Sequence, residues 1–183
     1  MLPKIVFLDR STVAVPVRPV ALPHLWQEYP ATTGEDETVA RLQEAAVAIT
    51  NKVPITAAVL ARLPALKLVA VAATGYNVID LDACRARGVT VCNVRDYAVS
   101  GVAEHCLMLM LALRRQLFAY RRRVLAGDWQ RSPTFCLQTP SLFELGGSTL
   151  TIVGGGVLGQ GLAELARGLG MRIVFAEHKG VAH

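Results

Sequence analysis

The sequence predicts an α/β protein built on parallel β-sheets, and two observations support this fold class. Short apolar runs rich in β-branched residues alternate with segments of helical periodicity along most of the chain, which is typical of strand–helix–strand units. Near residue 150, such a run leads into the pattern Gly154-x-Gly156-x-x-Gly159 and then into a helix. The short helical crossovers predict a parallel sheet that is covered by helices on both faces.

The first part of the chain is predicted to form four strands and three short helices. The strands are expected at residues 5–8, 46–50, 66–73 and 89–92, and the helices at residues 38–46, 56–63 and 80–88. Thr33 or Asp36 is a candidate cap for the first helix, and Pro64 ends the second. Asp80 is expected to cap the third helix, which Gly88 closes.

A long helix is predicted to begin near Ser100, to run past Arg114 and to extend as far as Ala126. Its central stretch is apolar on all sides, so we expect it to be buried between domains or against a partner. Residues 127–145 contain two prolines and are predicted to form a loop-rich connection to the glycine-rich unit.

The glycine-rich unit carries the most informative motif in the sequence. Strands are predicted at residues 149–153 and 172–176, with a helix between them that Gly170 closes. The apolar face of that helix is expected to consist of Leu162, Leu165, Ala166 and Leu169. A strand before the glycines, a helix after them and an acidic residue, Glu177, at the end of the next strand together indicate a dinucleotide site.

Each glycine of the motif has a separate task in that interpretation. Gly154 permits the tight turn, Gly156 lets the backbone approach a pyrophosphate, and Gly159 allows helix and strand to pack closely. Free N–H groups at the positive end of the helix then face the phosphates, and Glu177 accepts hydrogen bonds from the adenosine ribose. The alternative is a glycine-rich turn in another kind of α/β protein, which the flanking elements disfavour.

Composition narrows the class of protein. The chain has 183 residues, of which 52% are hydrophobic, as in a well-packed globular protein. The longest apolar run, residues 106–113, is shorter than the roughly 20 residues that span a bilayer, and the first residues lack the pattern of a secretory signal. We therefore expect no membrane partner.

Cysteine usage and charge point to a cytoplasmic protein without nucleic-acid partners. The four cysteines, at positions 84, 92, 106 and 136, show no CxxC spacing and are interpreted as reduced core thiols rather than as a metal site or a disulfide frame. The net charge of +5 includes a cluster of five arginines between residues 114 and 123. Because no aromatic stacking platform or DNA-reading motif accompanies the cluster, a solvated helix end is preferred over a nucleic-acid patch.

Two loops of the first domain are candidates for binding a small anion. Ligands of open parallel sheets bind at the carboxyl ends of the strands, and Thr74 and Gly75 follow the most apolar strand. Gly75 allows backbone N–H groups to converge on an anion. Asn51 and Lys52 follow the preceding strand, and ordinary turn chemistry is the alternative for both loops. Two sheet domains would enclose a cleft, with the dinucleotide on one wall and the anion on the other.

Several segments resemble the D-isomer-specific 2-hydroxyacid dehydrogenase family, in the order in which the family has them. Residues 68–94 resemble its substrate domain, and Val102-Ala-Glu-His105 and residues 145–159 are similar to its next two landmarks. Three segments are most similar to the glycerate dehydrogenase (hydroxypyruvate reductase) branch: residues 48–54, 91–94 and 129–136. The resemblance covers the chain to about Gly180.

The resemblance implies three parts in the chain. A flavodoxin-like parallel-sheet substrate domain is expected at residues 1–98, and an interdomain helix and connection at residues 99–145. The first part of a Rossmann NAD-binding domain is expected at residues 146–183. A homodimer is expected from the family and from the long apolar helix.

The resemblance also implies reversible hydride transfer between NADH and the carbonyl carbon of a small 2-oxo acid such as hydroxypyruvate or glyoxylate. Thr74 and Gly75 match the loop that binds the substrate carboxylate through backbone amides. The positions that match cofactor contacts are Gly154, Gly156, Val157, Leu158, Gly159 and Glu177. Glu177 favours NAD over NADP because its carboxylate repels a 2′-phosphate, although His178 and Lys179 partly offset that repulsion. Cys106 occupies a place where the family often has threonine near the cofactor.

No catalytic residue is assigned in this chain. The arginine, glutamate and histidine of the family belong to a later part of the dinucleotide domain, so the chain is expected to be the amino-terminal part of a longer enzyme. His24 lies in an early loop, His105 is interpreted as a structural helix residue, and His178 and His183 are close to the carboxyl end. The alternative is a non-catalytic module that binds a nucleotide and dimerises.

Overall fold

The computed structural model describes residues 2–137 and 142–176. The chain divides into two compact units, Met1–Arg95 and Asp96–His183.

The amino-terminal unit contains a five-stranded sheet with the strand order β2-β1-β3-β4-β5. Its strands are β1 (Lys4–Phe7), β2 (Leu25–Glu28), β3 (Ala45–Thr50), β4 (Leu68–Val71) and β5 (Thr90–Asn93), and its α-helices are α1 (Glu35–Leu42), α2 (Ala57–Ala61) and α3 (Leu81–Ala86). Every neighbouring pair of strands is parallel. This is the flavodoxin-like strand order, so the predicted fold class is confirmed.

Apolar side chains from the strands and the helices form one core in this unit. Val6, Val69 and Val71 from the strands, together with Leu8 just after β1, pack with Leu60 and other helix residues, and all of these are buried. Burying a side chain of this size stabilises a fold by about 1.5–3 kcal/mol. The core therefore holds the carboxyl ends of β1, β3 and β4 in fixed positions, which is where the candidate ligand loops begin.

The sequence-based prediction missed β2. This strand has only four residues, lies at the edge of the sheet and leaves Leu25 and Trp26 exposed. A short edge strand with exposed apolar side chains has neither the alternation nor the buried run by which strands are identified. The first unit therefore has five strands instead of the four that were predicted.

The predicted bounds and caps of α1 are wrong. The helix begins at Glu35 after Gly34, and neither Thr33 nor Asp36 caps it. Instead, the backbone N–H of Thr33 donates to the carboxylate of Glu37 at 2.6 Å, which fixes the entry to the helix from inside its first turn. The helix ends at Leu42 rather than at residue 46 because Glu44 adopts a positive φ of 61°.

The predicted Asp80 cap is confirmed, and Thr56 is a second cap in this unit that was not predicted. The Thr56 hydroxyl accepts a hydrogen bond from Val59 N, and the Asp80 carboxylate accepts one from Ala83 N. Each satisfies a backbone N–H that has no partner inside the first helical turn. Gly88 has a φ of +69°, the left-handed conformation expected where α3 closes.

The carboxyl-terminal unit contains four α-helices and a parallel pair of strands within its described residues. The helices are α4 (Val99–Arg114), α5 (Leu117–Leu125), α6 (Asp128–Arg131) and α7 (Val157–Gly168), and the strands are β6 (Thr149–Val153) and β7 (Arg172–Ala176). The predicted strand–helix–strand arrangement of the glycine-rich unit is confirmed, including the left-handed Gly170 with a φ of +75°.

The predicted long helix is divided into α4 and α5. Gln116 has a left-handed φ of 53° and separates the two helices. The main-chain oxygen of Arg114 accepts a hydrogen bond from Phe143 N at 3.2 Å, and the Arg114 side chain donates to Glu144 O at 2.8 Å. A segment that is distant in sequence therefore binds the end of α4. Local periodicity cannot predict such a contact.

Most apolar residues of α4 are not buried within this single chain, so their burial against a partner stays a prediction, and the cysteines are less buried than predicted. Only Ala103 and Ala112 of α4 are buried, whereas Leu113 is 68% exposed. Among the cysteines, only Cys84 is a core residue, since Cys92 is exposed and Cys106 and Cys136 are half-buried. Burial, assisted by the nearby Asp80 charge, raises the pKa of the Cys84 thiol. The prediction of four core thiols is therefore wrong for three of them.

The buried face of α7 is centred on alanines. Ala163 and Ala166 are fully buried, whereas the predicted face residues Leu165 and Leu169 are exposed. Small residues here allow α4 to approach α7 closely. A Cβ atom added to Gly161 would lie 2.8 Å from Cγ1 of Val99 on α4.

We expect Gly161→Ala to destabilise the carboxyl-terminal unit by about 1–2 kcal/mol, because the new methyl group displaces a stiff β-branched side chain. Gly168→Ala in the same helix is the matched control, since an added Cβ there meets no atom within 4 Å. The control is expected to be neutral or to stabilise the helix by up to about 1 kcal/mol. Amide hydrogen exchange in β6 and β7 measures the stability of both variants. Equal protection in the two variants would contradict the close contact between α4 and α7.

Within residues 2–137 and 142–176, no helix is long and apolar enough to cross a membrane. The same residues contain no group of three or more histidine, cysteine, aspartate or glutamate side chains suited to a metal ion.

Candidate functional site

The glycine motif forms the turn between β6 and α7. Gly154 has a φ of +94°, which strongly favours glycine, and its N–H donates to Ala176 O at 3.1 Å. This bond ties the turn to the end of β7. Gly156 is the residue directly before α7, and no side chain caps that helix.

Gly159 lies where the helix crosses the turn. An added Cβ would be 2.4 Å from the main-chain oxygen of Gly154 and 3.2 Å from Cγ2 of Ile152. A backbone oxygen cannot move aside as a flexible side chain can, so glycine is required here by the packing of the chain itself.

Gly156 differs from the other two glycines. It has an ordinary extended conformation with a φ of −69°, and a Cβ added to it would meet no atom within 4 Å. Neither backbone strain nor packing within the described residues accounts for glycine at this position. A ligand that approaches the backbone closely would account for it, which is the role that the motif predicts.

The amides at this turn are available to a ligand. Within the described part of the chain, no hydrogen bond uses the N–H groups of Gly156, Val157 or Leu158, as expected for the first turn of an uncapped helix. The Val157 and Leu158 side chains are exposed. The α7 helix has 12 residues, and its dipole adds a positive potential at the same end. These groups together suit a diphosphate.

Two other predicted cofactor residues are less closely defined. Glu177 directly follows β7 but lies outside the described residues, as do His178 and Lys179, so its ribose contact stays a prediction. Cys106 is half-buried on α4. It lies seven residues after Val99 and therefore on the α4 face that packs against α7.

The Thr74–Gly75 loop follows β4 at the carboxyl edge of the first sheet. The Thr74 hydroxyl donates to Val94 O at 2.9 Å, and the Thr74 main-chain oxygen accepts from Asn93 Nδ2 at 2.7 Å. Within the described residues, the backbone N–H groups of Thr74, Gly75 and Tyr76 donate to no protein acceptor. All three residues are exposed, so the loop presents unpaired amides of the kind that bind a carboxylate.

The Asn51–Lys52 loop follows β3, but its amides already have an anionic partner. The Asp9 carboxylate accepts hydrogen bonds from Asn51 N at 2.9 and 3.1 Å and from Lys52 N at 2.7 Å. Asp9 is only 3% exposed. A ligand at this loop would therefore contact the side chains of Asn51 and Lys52 rather than their amides.

Asp9 is a site residue that sequence reasoning missed. It lies two residues after the end of β1, and the strand order reverses between β1 and β3, which is where ligands bind in open parallel sheets. An aspartate after a buried strand at that position was the signal that could have identified it.

The two loops belong to the same edge of the sheet. The strands that precede them, β3 and β4, are paired along their length, and Ala72 N donates to Thr50 O at 2.8 Å at their carboxyl ends. Beyond the strands, Ile55 and Ile79 form a further parallel bridge. The two chain segments are therefore paired both before the loops, at the ends of β3 and β4, and after them, at Ile55 and Ile79.

We expect Asp9→Ala to destabilise the amino-terminal unit by about 2 kcal/mol, because two backbone N–H groups lose a charged acceptor in a nearly dry environment. Asp9→Asn keeps one side-chain oxygen as an acceptor and is expected to cost about half as much. Urea unfolding followed by hydrogen exchange in β1 and β3 measures the difference. Unchanged protection in Asp9→Ala would mean that the loop does not depend on this carboxylate.

A family model and similar curated proteins agree on the family to which this chain is related. The model of the family described as "D-isomer specific 2-hydroxyacid dehydrogenase, catalytic domain" matches residues 9–181. Glycerate dehydrogenase of Methylorubrum extorquens is 46% identical over 174 residues, covering 95% of this chain and 55% of that protein. Hydroxypyruvate reductase of Blautia hydrogenotrophica is 31% identical over 142 residues, covering 78% of this chain and 44% of that protein. The chain spans about half the length of these curated relatives.

A solved structure has the same fold. The structure from Polaromonas sp. JS6 66, described as a D-isomer-specific 2-hydroxyacid dehydrogenase, NAD-binding, has a TM-score of 0.76 and 25% sequence identity. The match covers 100% of this chain and 57% of that one.

Proposed function

Because this chain belongs to the D-isomer-specific 2-hydroxyacid dehydrogenase family, we propose that it supplies the substrate domain and the pyrophosphate turn of an NAD-dependent 2-hydroxyacid dehydrogenase. The substrate domain corresponds to residues 1–98, the connection to residues 99–145 and the start of the dinucleotide domain to residues 146–183. The observation that carries the proposal is Gly156, where no packing among the described residues accounts for glycine and the close approach of a ligand would.

The proposed reaction is reversible hydride transfer to a small 2-oxo acid. The bound nicotinamide supplies the hydride. The free N–H groups of Thr74 and Gly75 hold the substrate carboxylate, and the amides of Gly156, Val157 and Leu158 at the start of α7 hold the diphosphate. Hydride addition builds negative charge on the substrate oxygen, which needs a proton donor. No residue of this chain is assigned to that donor, in keeping with a catalytic contribution from a part of the enzyme that follows these residues.

The proposed substrates are hydroxypyruvate and glyoxylate, or the corresponding hydroxy acids. Support comes from the glycerate dehydrogenase and hydroxypyruvate reductase that the chain is similar to. NAD rather than NADP is proposed because Glu177 would repel a 2′-phosphate. A cytoplasmic location is proposed because the four cysteines show no CxxC spacing and are interpreted as reduced thiols.

A homodimer is proposed from the apolar surface of α4 and α5. Large apolar side chains are exposed there on consecutive helical turns: Met108, Leu109, Leu113, Leu117 and Phe118. Exposed apolar surface of this kind is typical of an interface, and most soluble homo-oligomers are twofold dimers.

We expect Leu113→Lys to weaken the dimer by about tenfold or more, because it places a charge in an apolar contact. Arg121→Glu, which changes an exposed charge on α5, is the control for altered net charge. Sedimentation equilibrium measures both variants. Dimerisation of Leu113→Lys with the affinity of the unchanged chain would contradict an interface at α4.

Titration with NADH and NADPH, followed by nucleotide fluorescence, tests the proposed function. We expect saturable NADH binding that weakens in Gly156→Ala, and weaker binding of NADPH. Adding hydroxypyruvate to the chain and NADH then tests where the catalytic groups lie, because this chain alone is expected to leave NADH unoxidised. Absence of NADH binding would contradict the proposal, and substantial turnover would contradict the assignment of the catalytic groups to a later segment.

A further inference from the structure

Asn93, the last residue of β5, connects this strand to the loop proposed to hold the substrate carboxylate. Its Nδ2 atom donates to the main-chain oxygen of Thr74 at 2.7 Å. In return, the Thr74 hydroxyl donates to Val94 O at 2.9 Å, and Val94 N donates to Ala73 O at 3.1 Å. The end of β5 and the start of the loop are therefore joined by hydrogen bonds in both directions.

The bond from Asn93 acts on the peptide group that matters for anion binding. The carbonyl of Thr74 and the N–H of Gly75 belong to one planar unit and point in opposite directions. A donor that holds the carbonyl oxygen therefore also fixes the direction of the N–H. Without that donor the unit could rotate more freely, because Gly75 has no Cβ and tolerates many backbone conformations.

The same bond also polarises the Gly75 N–H. Hydrogen bonds arranged in a chain strengthen one another, so a donor on the Thr74 oxygen makes the N–H at the other end of the peptide a better donor. Both effects favour an anion in front of Gly75. Neither requires Asn93 to touch the anion.

We propose that Asn93 is a positioning residue for carboxylate recognition, which holds the Thr74 carbonyl so that the Gly75 N–H points toward the substrate. The inference rests on the proposed function and deepens it. It concerns binding more than stability, because the hydrogen bond lies at an exposed position, where its loss costs the fold little.

Asn93→Leu tests the proposal, since it removes the donor and keeps a side chain of similar size. Cys92→Ser is the matched control on the same strand, because the Cys92 side chain is exposed. The probe is oxalate, added at constant ionic strength while the backbone amide NMR signals of Gly75 and Tyr76 are followed. We expect saturable shifts in the unchanged chain and in the control, and about three- to tenfold weaker binding in Asn93→Leu. The melting temperature is expected to change by no more than about 4 °C.

The outcomes separate this inference from the proposed function. Equal oxalate affinity in Asn93→Leu and the unchanged chain would overturn the positioning role while leaving the carboxylate site in place. Absence of any saturable shift at Gly75 in the unchanged chain would contradict the carboxylate site, and the inference would fail with it. If Asn93→Leu does not fold, Asn93→Ser takes its place, because its hydroxyl is too short to reach the Thr74 oxygen. Failure of both variants to fold would make Asn93 a residue of the fold and overturn the proposal.

Discussion

Gly159→Ala is expected to destabilise the carboxyl-terminal unit by about 3 kcal/mol or more. The new Cβ would lie 2.4 Å from the main-chain oxygen of Gly154, so β6 and α7 would have to separate. The usual gain of about 1 kcal/mol from alanine in a helix does not offset such a clash. We expect the turn to lose its shape and dinucleotide binding to disappear with it.

Hydrogen exchange in β6 and β7, compared with the strands of the amino-terminal unit, measures this effect. The amino-terminal strands serve as an internal control because Gly159 belongs to the other compact unit. Native protection of β6 and β7 in Gly159→Ala would show that helix and strand are not in close contact at this position.

Gly156→Ala is expected to leave stability unchanged and to weaken dinucleotide binding by about 5- to 150-fold. The position is extended and open on the protein side, so the methyl group costs the fold nothing. It would project into the space where the diphosphate approaches the backbone, and a clash of that kind typically costs about 1–3 kcal/mol.

The comparison of Gly156→Ala with Gly168→Ala distinguishes a ligand effect from an effect on the helix. Gly156 directly precedes α7 and Gly168 is its last residue, and at both positions an added methyl group meets none of the described protein atoms within 4 Å. Only the first is expected to affect NADH binding measured by calorimetry. A Gly156→Ala chain that binds as well as the unchanged chain would remove the main support for the pyrophosphate turn.

The elements with a regular pattern were predictable from the sequence. The apolar runs of β3 and β4, the cap Asp80, and the β6–α7–β7 unit were identified because local composition and periodicity determine them. The three glycines were identified as a sequence pattern, and the structure accounts for Gly154 by its positive φ and for Gly159 by close packing, whereas Gly156 is left to the proposed ligand.

Features that depend on distant contacts were not predictable in this way. The break at Gln116 follows from Phe143 and Glu144 binding Arg114 across many residues of sequence. The Asp9 carboxylate reaches Asn51 and Lys52 only because the sheet places β1 beside β3. In both cases the sequence contains the interacting groups, but only the fold pairs them.

A crystal structure of the chain with bound ADP-ribose would show whether the turn between β6 and α7 binds a diphosphate. We expect the diphosphate oxygens to lie within hydrogen-bond distance, about 2.7–3.2 Å, of the N–H groups of Gly156, Val157 and Leu158. We also expect the closest ligand atoms to lie against Gly156 Cα. A diphosphate bound elsewhere, or one kept away from this turn by protein atoms, would rule out the proposed pyrophosphate site.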